Sequence, residues 1–261
     1  MTSKDPGNDF WALITPRTGE ISAVRNADRG YSSDVTAIID CAAGQFFIKA
    51  VREPSYHALS FSREAQVNPY VRPVSPALRW QLHENNWIVL AFDVIHGQHA
   101  DFSPGSPDIP AVAGAVRAIG EIACPDIARD WSEGRWNRFT DSPDLFAGDS
   151  LLYTDINPDN FLITPAGASV VDWAWPTRGA GFIDPACLVI QLIAAGHTSE
   201  DAESWARHCP AWNSADANAV SAFAAATLRM YQYFENRDPA PWRKEMTKAV
   251  AIWAAYRQIE A

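Results

Sequence analysis

Cysteine is scarce in this 261-residue chain, and positive charge is outnumbered. Cys41, Cys124, Cys187 and Cys209 are far apart and contain no C-x-x-C pair. They read as buried free thiols in a reducing compartment rather than a disulfide framework. No stretch approaches the roughly eighteen apolar residues of a membrane span. The start, MTSKDPGNDF, has no apolar core of a signal peptide, so the expectation is a soluble cytoplasmic protein with no membrane partner. With 21 Lys+Arg against 31 Asp+Glu, a net charge of −10 and a pI near 5.0, nucleic acid and anionic surfaces are poor partners. There is no internal repeat and no low-complexity tract. Several catalytic signatures are missing too. No G-x-S-x-G elbow is present, and the six histidines give no recognisable triad order with Asp172, which leaves an α/β-hydrolase little support. His197 and His208 have no soft ligands near enough in sequence to form a zinc site.

What is present is a globular chain. Hydrophobic residues make up 48% and charged residues 20%, enough for a sizeable core in one large domain or two lobes. The charge is uneven. Residues 101–261 hold 12 Lys+Arg and 21 Asp+Glu, a net of −9, whereas residues 1–100 are nearly balanced at 9 and 10. An acidic second half suits a cationic ligand, and it equally serves solubility.

The chain is organised around residues 151–173, LLYTDINPDNFLITPAGASVVDW. Two apolar runs flank a polar loop holding Asp155 and, five residues on, Asn160. A turn at Pro165 and Gly167 leads through Val170 and Val171 to Asp172. Asp and Asn are common in turns, so D-x4-N alone carries little. A third group, the Asp172 carboxylate at the far end of the hairpin, adds to it. One group to take a hydroxyl proton and two oxygen ligands for Mg²⁺ are what phosphoryl transfer requires.

Further residues stand upstream in a fixed order. A strand over 20–25 and another over 35–39 are joined by a turn containing Gly30, Ser32 and Ser33. By itself this reads as an ordinary hairpin, since it is neither a Walker loop nor a G-x-G-x-x-G loop. Residues 45–51 alternate as a third strand, with Lys49 among apolar neighbours where an ammonium needs an anionic partner. Glu64 follows 15 residues later on a helix expected over 56–70. Strands over 77–82 and 87–92 meet at Glu84-Asn85-Asn86 and run into Asp93 and Val94. The chain then crosses a Pro/Ser/Gly-rich stretch over 103–110 and enters helices expected over 109–122, 185–195, 199–208, 214–237 and 241–259. Phe10 to Ile14 is a short apolar patch that covers the first lobe. The stretch over 124–150, with Trp131, Trp136 and Phe139, reads either as a packed insertion or as the lining of a substrate cleft. Asp184, before Pro185, reads as a helix N-cap that also anchors the loop. Glu200, Asp201, Glu203 and Asp216 read as solvated caps.

Asp155, Asn160 and Asp172, with Lys49, Glu64 and Asp184 in this order, resemble the aminoglycoside phosphotransferase family over residues 20–192. The family's loop reads H-x-D-x4-N, so Tyr153 departs from it at the His, and Val189-Ile190 replaces the second Asp of its G-D-P-x-x-D segment. The resemblance implies an α+β, bilobal protein-kinase-like fold. A small antiparallel sheet with one helix forms the N-terminal lobe, residues 1–97, and a mostly helical lobe spans 98–261. It implies ATP and Mg²⁺ as cofactors and transfer of the γ-phosphoryl group to a hydroxyl of a small molecule. The family name points to an aminoglycoside or related basic antibiotic, hence antibiotic resistance. Sugar, amino-alcohol and homoserine kinases, or a catalytically weak nucleotide-binding protein, are the alternatives. In this scheme Asp155 is the base, and Asn160 and Asp172 hold the metal. Lys49 paired with Glu64, together with Gly30, Ser32 and Ser33, holds the phosphates. The backbones of Asp93 and Val94 meet the adenine. Asp172 to Asp184 is too short for a protein-kinase activation loop, which disfavours a protein substrate.

Overall fold

The computed structural model describes residues 6–27 and 33–258. Gly30 and Ser32 lie outside the described residues. The chain forms two compact units, Met1–His96 and Gly97–Ala261.

The first unit is built on five antiparallel strands: β1 (Ile21–Asn26), β2 (Val35–Cys41), β3 (Gly44–Arg52), β4 (Leu78–Glu84) and β5 (Trp87–Phe92). Their order is β1-β2-β3-β5-β4. Asn85 and Asn86 join β4 to β5 with φ of 51° and 61°, left-handed values that Asn tolerates and that match the twist of a two-residue hairpin. Two helices cover the sheet, α1 (Asn8–Thr18) on one face and α2 (Ala58–Val71) on the other. Strand alternation assigns the partners. Ile48 and Ala50 of β3 join Phe10 and Ile14 of α1 in one cluster, whereas Val51 joins Phe61 of α2 in the other. Lys49 shares the parity of Val51 and so lies on the α2 face.

The apolar patch at Phe10–Ile14 is thus part of a full helix, a second one in this unit. Its local signals are weak: Gly7 offers no side-chain cap, and Pro16 sits inside it. Burial of Phe10 and Ile14, at 1% and 0% exposure, stabilises it instead. Each such side chain is worth roughly 1.5–3 kcal/mol.

The second unit is mostly helical: α3 (Ile109–Gly120), α4 (Ile183–Ala194), α5 (Ser199–Ala206), α6 (Pro210–Asn213), α7 (Ala217–Arg237) and α8 (Pro241–Tyr256). Apolar faces of α3, α4, α7 and α8 form its core, with Val112, Leu188, Phe223 and Trp253 fully buried. Two small sheets carry the loops. Strand β7 (Ser150–Leu152) pairs with β10 (Thr177–Gly179), and β6 (Gln98–His99) pairs with β8 (Phe161–Thr164), which forms a hairpin with β9 (Gly167–Val170). The stretch over 124–150 is packed rather than open. The Trp136, Phe146 and Phe182 rings stand 4.7, 5.6 and 5.9 Å from Phe223 of α7.

Several sequence expectations change. Only Cys209 of the four free thiols is fully buried. Glu203 is no solvated cap, being 6% exposed and accepting from Trp253 Nε1 at 2.8 Å and Arg257 Nε at 2.9 Å. Asp216 does cap, accepting from the Asn218 N–H. Asp184 does not: Phe182 holds the cap position of α4, and Asp184 sits within its first turn with its carboxylate turned to residues 153 and 154. Among the described residues, no helix is long and apolar enough to cross a membrane.

Candidate active site

The second unit's site begins at β7, which β10 holds in register, Leu152 opposite Thr177. The chain then leaves the sheet. Thr154 has φ 62°, a left-handed value that is strained for a β-branched residue. Asp184, 2% exposed, supports the turn from below. Its Oδ2 accepts the Tyr153 N–H at 2.9 Å and its Oδ1 the Thr154 N–H at 2.7 Å. Burial pushes its pKa up to about 6 against the pull of those two donors.

Asp155 follows. Asn157 Nδ2 donates to its Oδ1 at 3.0 Å and Asn160 Nδ2 to its Oδ2 at 2.9 Å. Asn157 also accepts the Asp159 N–H at 3.0 Å, capping a single helical turn over Pro158–Asn160 that sets Asn160 against Asp155. Because Nδ2 of Asn160 is committed to Asp155, its Oδ1 is the atom to offer a cation. Asp155 is solvent-exposed by area, yet protein surrounds it closely enough that desolvation raises its pKa, with the Asp172 charge adding to the rise. The solvent-accessible side leaves the carboxylate reachable by an acceptor.

The β8–β9 hairpin returns the chain to this loop, where the Val171 N–H donates to the Asn160 carbonyl at 3.0 Å. Asp172 then takes φ 61°. The Tyr153 hydroxyl donates to the Val171 carbonyl at 2.6 Å, and its ring packs 4.8 Å from Trp173. Tyr153, at the position where H-x-D-x4-N has His, therefore ties the loop carrying Asp155 to the segment carrying Asp172.

A two-ligand set fits Mg²⁺. Among the described residues no three His, Cys, Asp or Glu side chains gather as a metal site. Asn160 and Asp172 would supply two hard oxygens, and Mg²⁺ ordinarily takes one or two protein ligands, with phosphate oxygens and water completing its octahedron.

In the first unit Lys49 Nζ meets Glu64 Oε2 at 2.7 Å, both side chains under 10% exposed. The Phe61 ring lies 5.8 Å from the ammonium. The Ser33 hydroxyl is buried with no hydrogen-bond partner among the described residues. The Asp93 N–H donates to the Ala77 carbonyl at 3.0 Å and its carboxylate takes Arg79 at 2.5 and 2.8 Å. Val94 follows, half-buried and outside the strands.

Glu133 and Arg135 escape sequence reasoning altogether. Arg135 forks onto buried Glu133 and also reaches the Thr154 hydroxyl. A Glu and an Arg two residues apart carry no local signal of a Thr154 contact nineteen residues on.

No protein-family model and no curated protein matches the sequence. Solved structures do. A spectinomycin phosphotransferase in complex with ADP and spectinomycin is 12% identical with a TM-score of 0.62, covering 96% of this chain and 95% of its own. An aminoglycoside phosphotransferase from Alicyclobacillus acidocaldarius is 14% identical with a TM-score of 0.67, covering 98% and 95%. Choline kinase LicA from Streptococcus pneumoniae is 12% identical with a TM-score of 0.67, covering 95% and 98%. Over nearly its whole length, then, the chain has the α+β bilobal protein-kinase-like fold that these small-molecule kinases share.

Proposed function

We propose that the protein is an ATP- and Mg²⁺-dependent phosphotransferase that moves a γ-phosphoryl group to a small-molecule hydroxyl. The observation that carries this is the joining of Asp155, Asn160 and Asp172 in one hydrogen-bonded loop system, with Asn160 Nδ2 on Asp155 and Asp172 close enough to raise it. Asp155 orients the acceptor hydroxyl and takes its proton as the oxygen attacks phosphorus. Asn160 and Asp172 hold the metal, which neutralises charge on the phosphates as it develops. Lys49, fixed by Glu64, holds the phosphates. Gly30, Ser32 and Ser33 belong to the turn that covers them. Of the Asp93 main chain, the carbonyl rather than the N–H faces the adenine, because the N–H already serves Ala77; the Val94 N–H is its companion. Positioning and electrostatics supply most of the rate.

The acceptor we propose is a cationic hydroxyl compound, an aminoglycoside or related basic antibiotic. The net charge of −9 over residues 101–261 supports it, and so do neighbours complexed with spectinomycin or hygromycin B. The likeness to choline kinase favours an amino alcohol as a second reading that shares the positive charge. The Tyr153 tie to Val171 counts against a weak, binding-only site, since it supplies the loop contact that the missing His would otherwise leave open.

The test is ADP release with Mg-ATP and a panel of aminoglycosides, basic peptide antibiotics, amino alcohols and sugars, beside Asp155→Ala. Stimulation by cationic members that is lost in the variant supports the reading. Absence of Mg-ATP binding sinks it.

A further inference from the structure

We propose that Arg135, held by buried Glu133, is a positioning residue that fixes the Asp155 loop by gripping the Thr154 hydroxyl. Its consequence for turnover rests on the phosphotransferase reading, whereas the grip does not.

Thr154 is an unlikely choice for its backbone. Glycine, or Asn, is the usual occupant of φ near 60°, and a β-branched residue there must be held from outside. What Thr brings is a hydroxyl with one donor and two acceptor sites. It donates to the Tyr153 carbonyl at 2.7 Å and accepts from Arg135 Nη2, so its rotamer is set from both ends.

Arg135 is itself fixed. Its Nε lies 3.0 and 3.1 Å from the two Glu133 oxygens, and Nη2 adds a second prong to Oε2. Such a fork loses little freedom on binding and defines a plane. Although the Arg135 side chain is 43% exposed, its partner carboxylate is only 1% exposed, so this is no ordinary surface pair. Burial works to raise the Glu133 carboxyl, but the Arg135 fork, the Arg135 N–H and Thr177 outweigh it and hold it below the ordinary value. Thr177 Oγ1 donates to Glu133 Oε2 at 2.7 Å, and Thr177 stands opposite Leu152 in the β7–β10 pair.

The contacts close a ring. From Leu152 the chain runs to Thr154, then by side chains to Arg135, Glu133 and Thr177, and back across the sheet to Leu152. Main-chain bonds brace it, with the Glu133 N–H on the Arg178 carbonyl at 2.8 Å and the Arg178 N–H on the Trp131 carbonyl at 2.7 Å. Two independent supports thus converge on Thr154, Asp184 on its N–H and Arg135 on its side chain. The guanidinium also opposes the rise in the Asp155 pKa.

Hydrogen exchange over residues 150–160 of the full-length chain, with ADP release measured in parallel, tests this. Arg135→Gln and Thr154→Val should each speed exchange of these amides about tenfold, as loss of a charged hydrogen bond does. The double variant should be no faster than the faster single one, and Thr154→Ser should keep the protection. In Arg135→Gln kcat should fall about tenfold while the KM for ATP stays within about twofold. Arg135→Lys keeps the charge without the fork, so it should loosen the loop even if Arg135→Gln disturbs folding. Unchanged loop exchange in both Arg135 variants, or additive effects in the double variant, would overturn the proposal. If the wild type releases no ADP with any acceptor, the phosphotransferase reading fails while exchange still decides the grip.

Discussion

Asp155, exposed on its loop, and Asp184, buried in the first turn of α4 beneath it, are two carboxylates with different tasks, and pH separates them. Desolvation and Asp172 raise the Asp155 pKa, and a general base works only when ionised. Turnover should therefore fall on the acid side at a pH above that of an ordinary aspartate, and Asp155→Asn should lower kcat by roughly 10²–10⁴-fold at every pH. A pH–rate profile with no acid limb would argue against Asp155 as the base. Asp184 governs stability instead. Its folded pKa of about 6 lies above the unfolded value, so the folded state binds its proton more tightly. Its contribution is fully present below about pH 4 and is lost as pH rises through 6, a difference of about 3 kcal/mol. Denaturant unfolding of wild type and Asp184→Asn across that range should show the wild-type advantage shrinking as pH rises. A growing advantage would mean that the two N–H bonds from Tyr153 and Thr154 outweigh burial.

At the scale of elements, the β3–α2 pairing makes a clear stability prediction. Lys49 and Glu64 are both buried, so replacing Glu64 takes the carboxylate at 2.7 Å from a desolvated ammonium. Glu64→Gln should cost about 3–5 kcal/mol in chemical unfolding, whereas cutting the exposed Arg117–Glu121 pair of α3 should cost less than about 1 kcal/mol. Elements also show what sequence can carry. Lys49 and Glu64 were legible because strand alternation and a fifteen-residue separation are properties of one β–α unit. That Asp155 and Asn160 would lie close to the segment carrying Asp172 was legible because only the β8–β9 hairpin separates them in sequence. Asp184 was legible in half: an Asp just before Pro at a helix start satisfies the local rule for a cap, a place that Phe182 takes, whereas its expected anchoring of the loop is met by the Tyr153 and Thr154 N–H groups. Helix α1 was hidden by its missing cap and its internal proline, and only packing against β3 and β5 reveals why it forms. Glu133 and Arg135 had no signal, since their partners Thr154 and Thr177 come from the loop after β7 and from β10.

For the whole molecule, the charge distribution bears on the acceptor. The acidic excess over residues 101–261 should draw cations from solution, and such attraction is screened by salt. Raising ionic strength should increase KM for a cationic acceptor while leaving that for a neutral one nearly unchanged. Equal salt responses would remove the electrostatic argument for a basic acceptor without touching the catalytic one. Nucleotide linkage tests the proposed function on the same scale. Mg-ATP at about 100 times its Kd should stabilise the protein by about 2.7 kcal/mol. Asp172→Ala should lose the part of that gain that depends on Mg²⁺, as read by thermal unfolding with and without chelator.

The most direct test of the central claim is the mass of the acceptor after incubation with protein and Mg-ATP. The account predicts that a cationic hydroxyl compound gains one phosphoryl group in step with ADP formed, and that Asp155→Ala, still binding Mg-ATP, yields no such product. ADP formed with every acceptor unchanged in mass, or product formed equally well by Asp155→Ala, would contradict it.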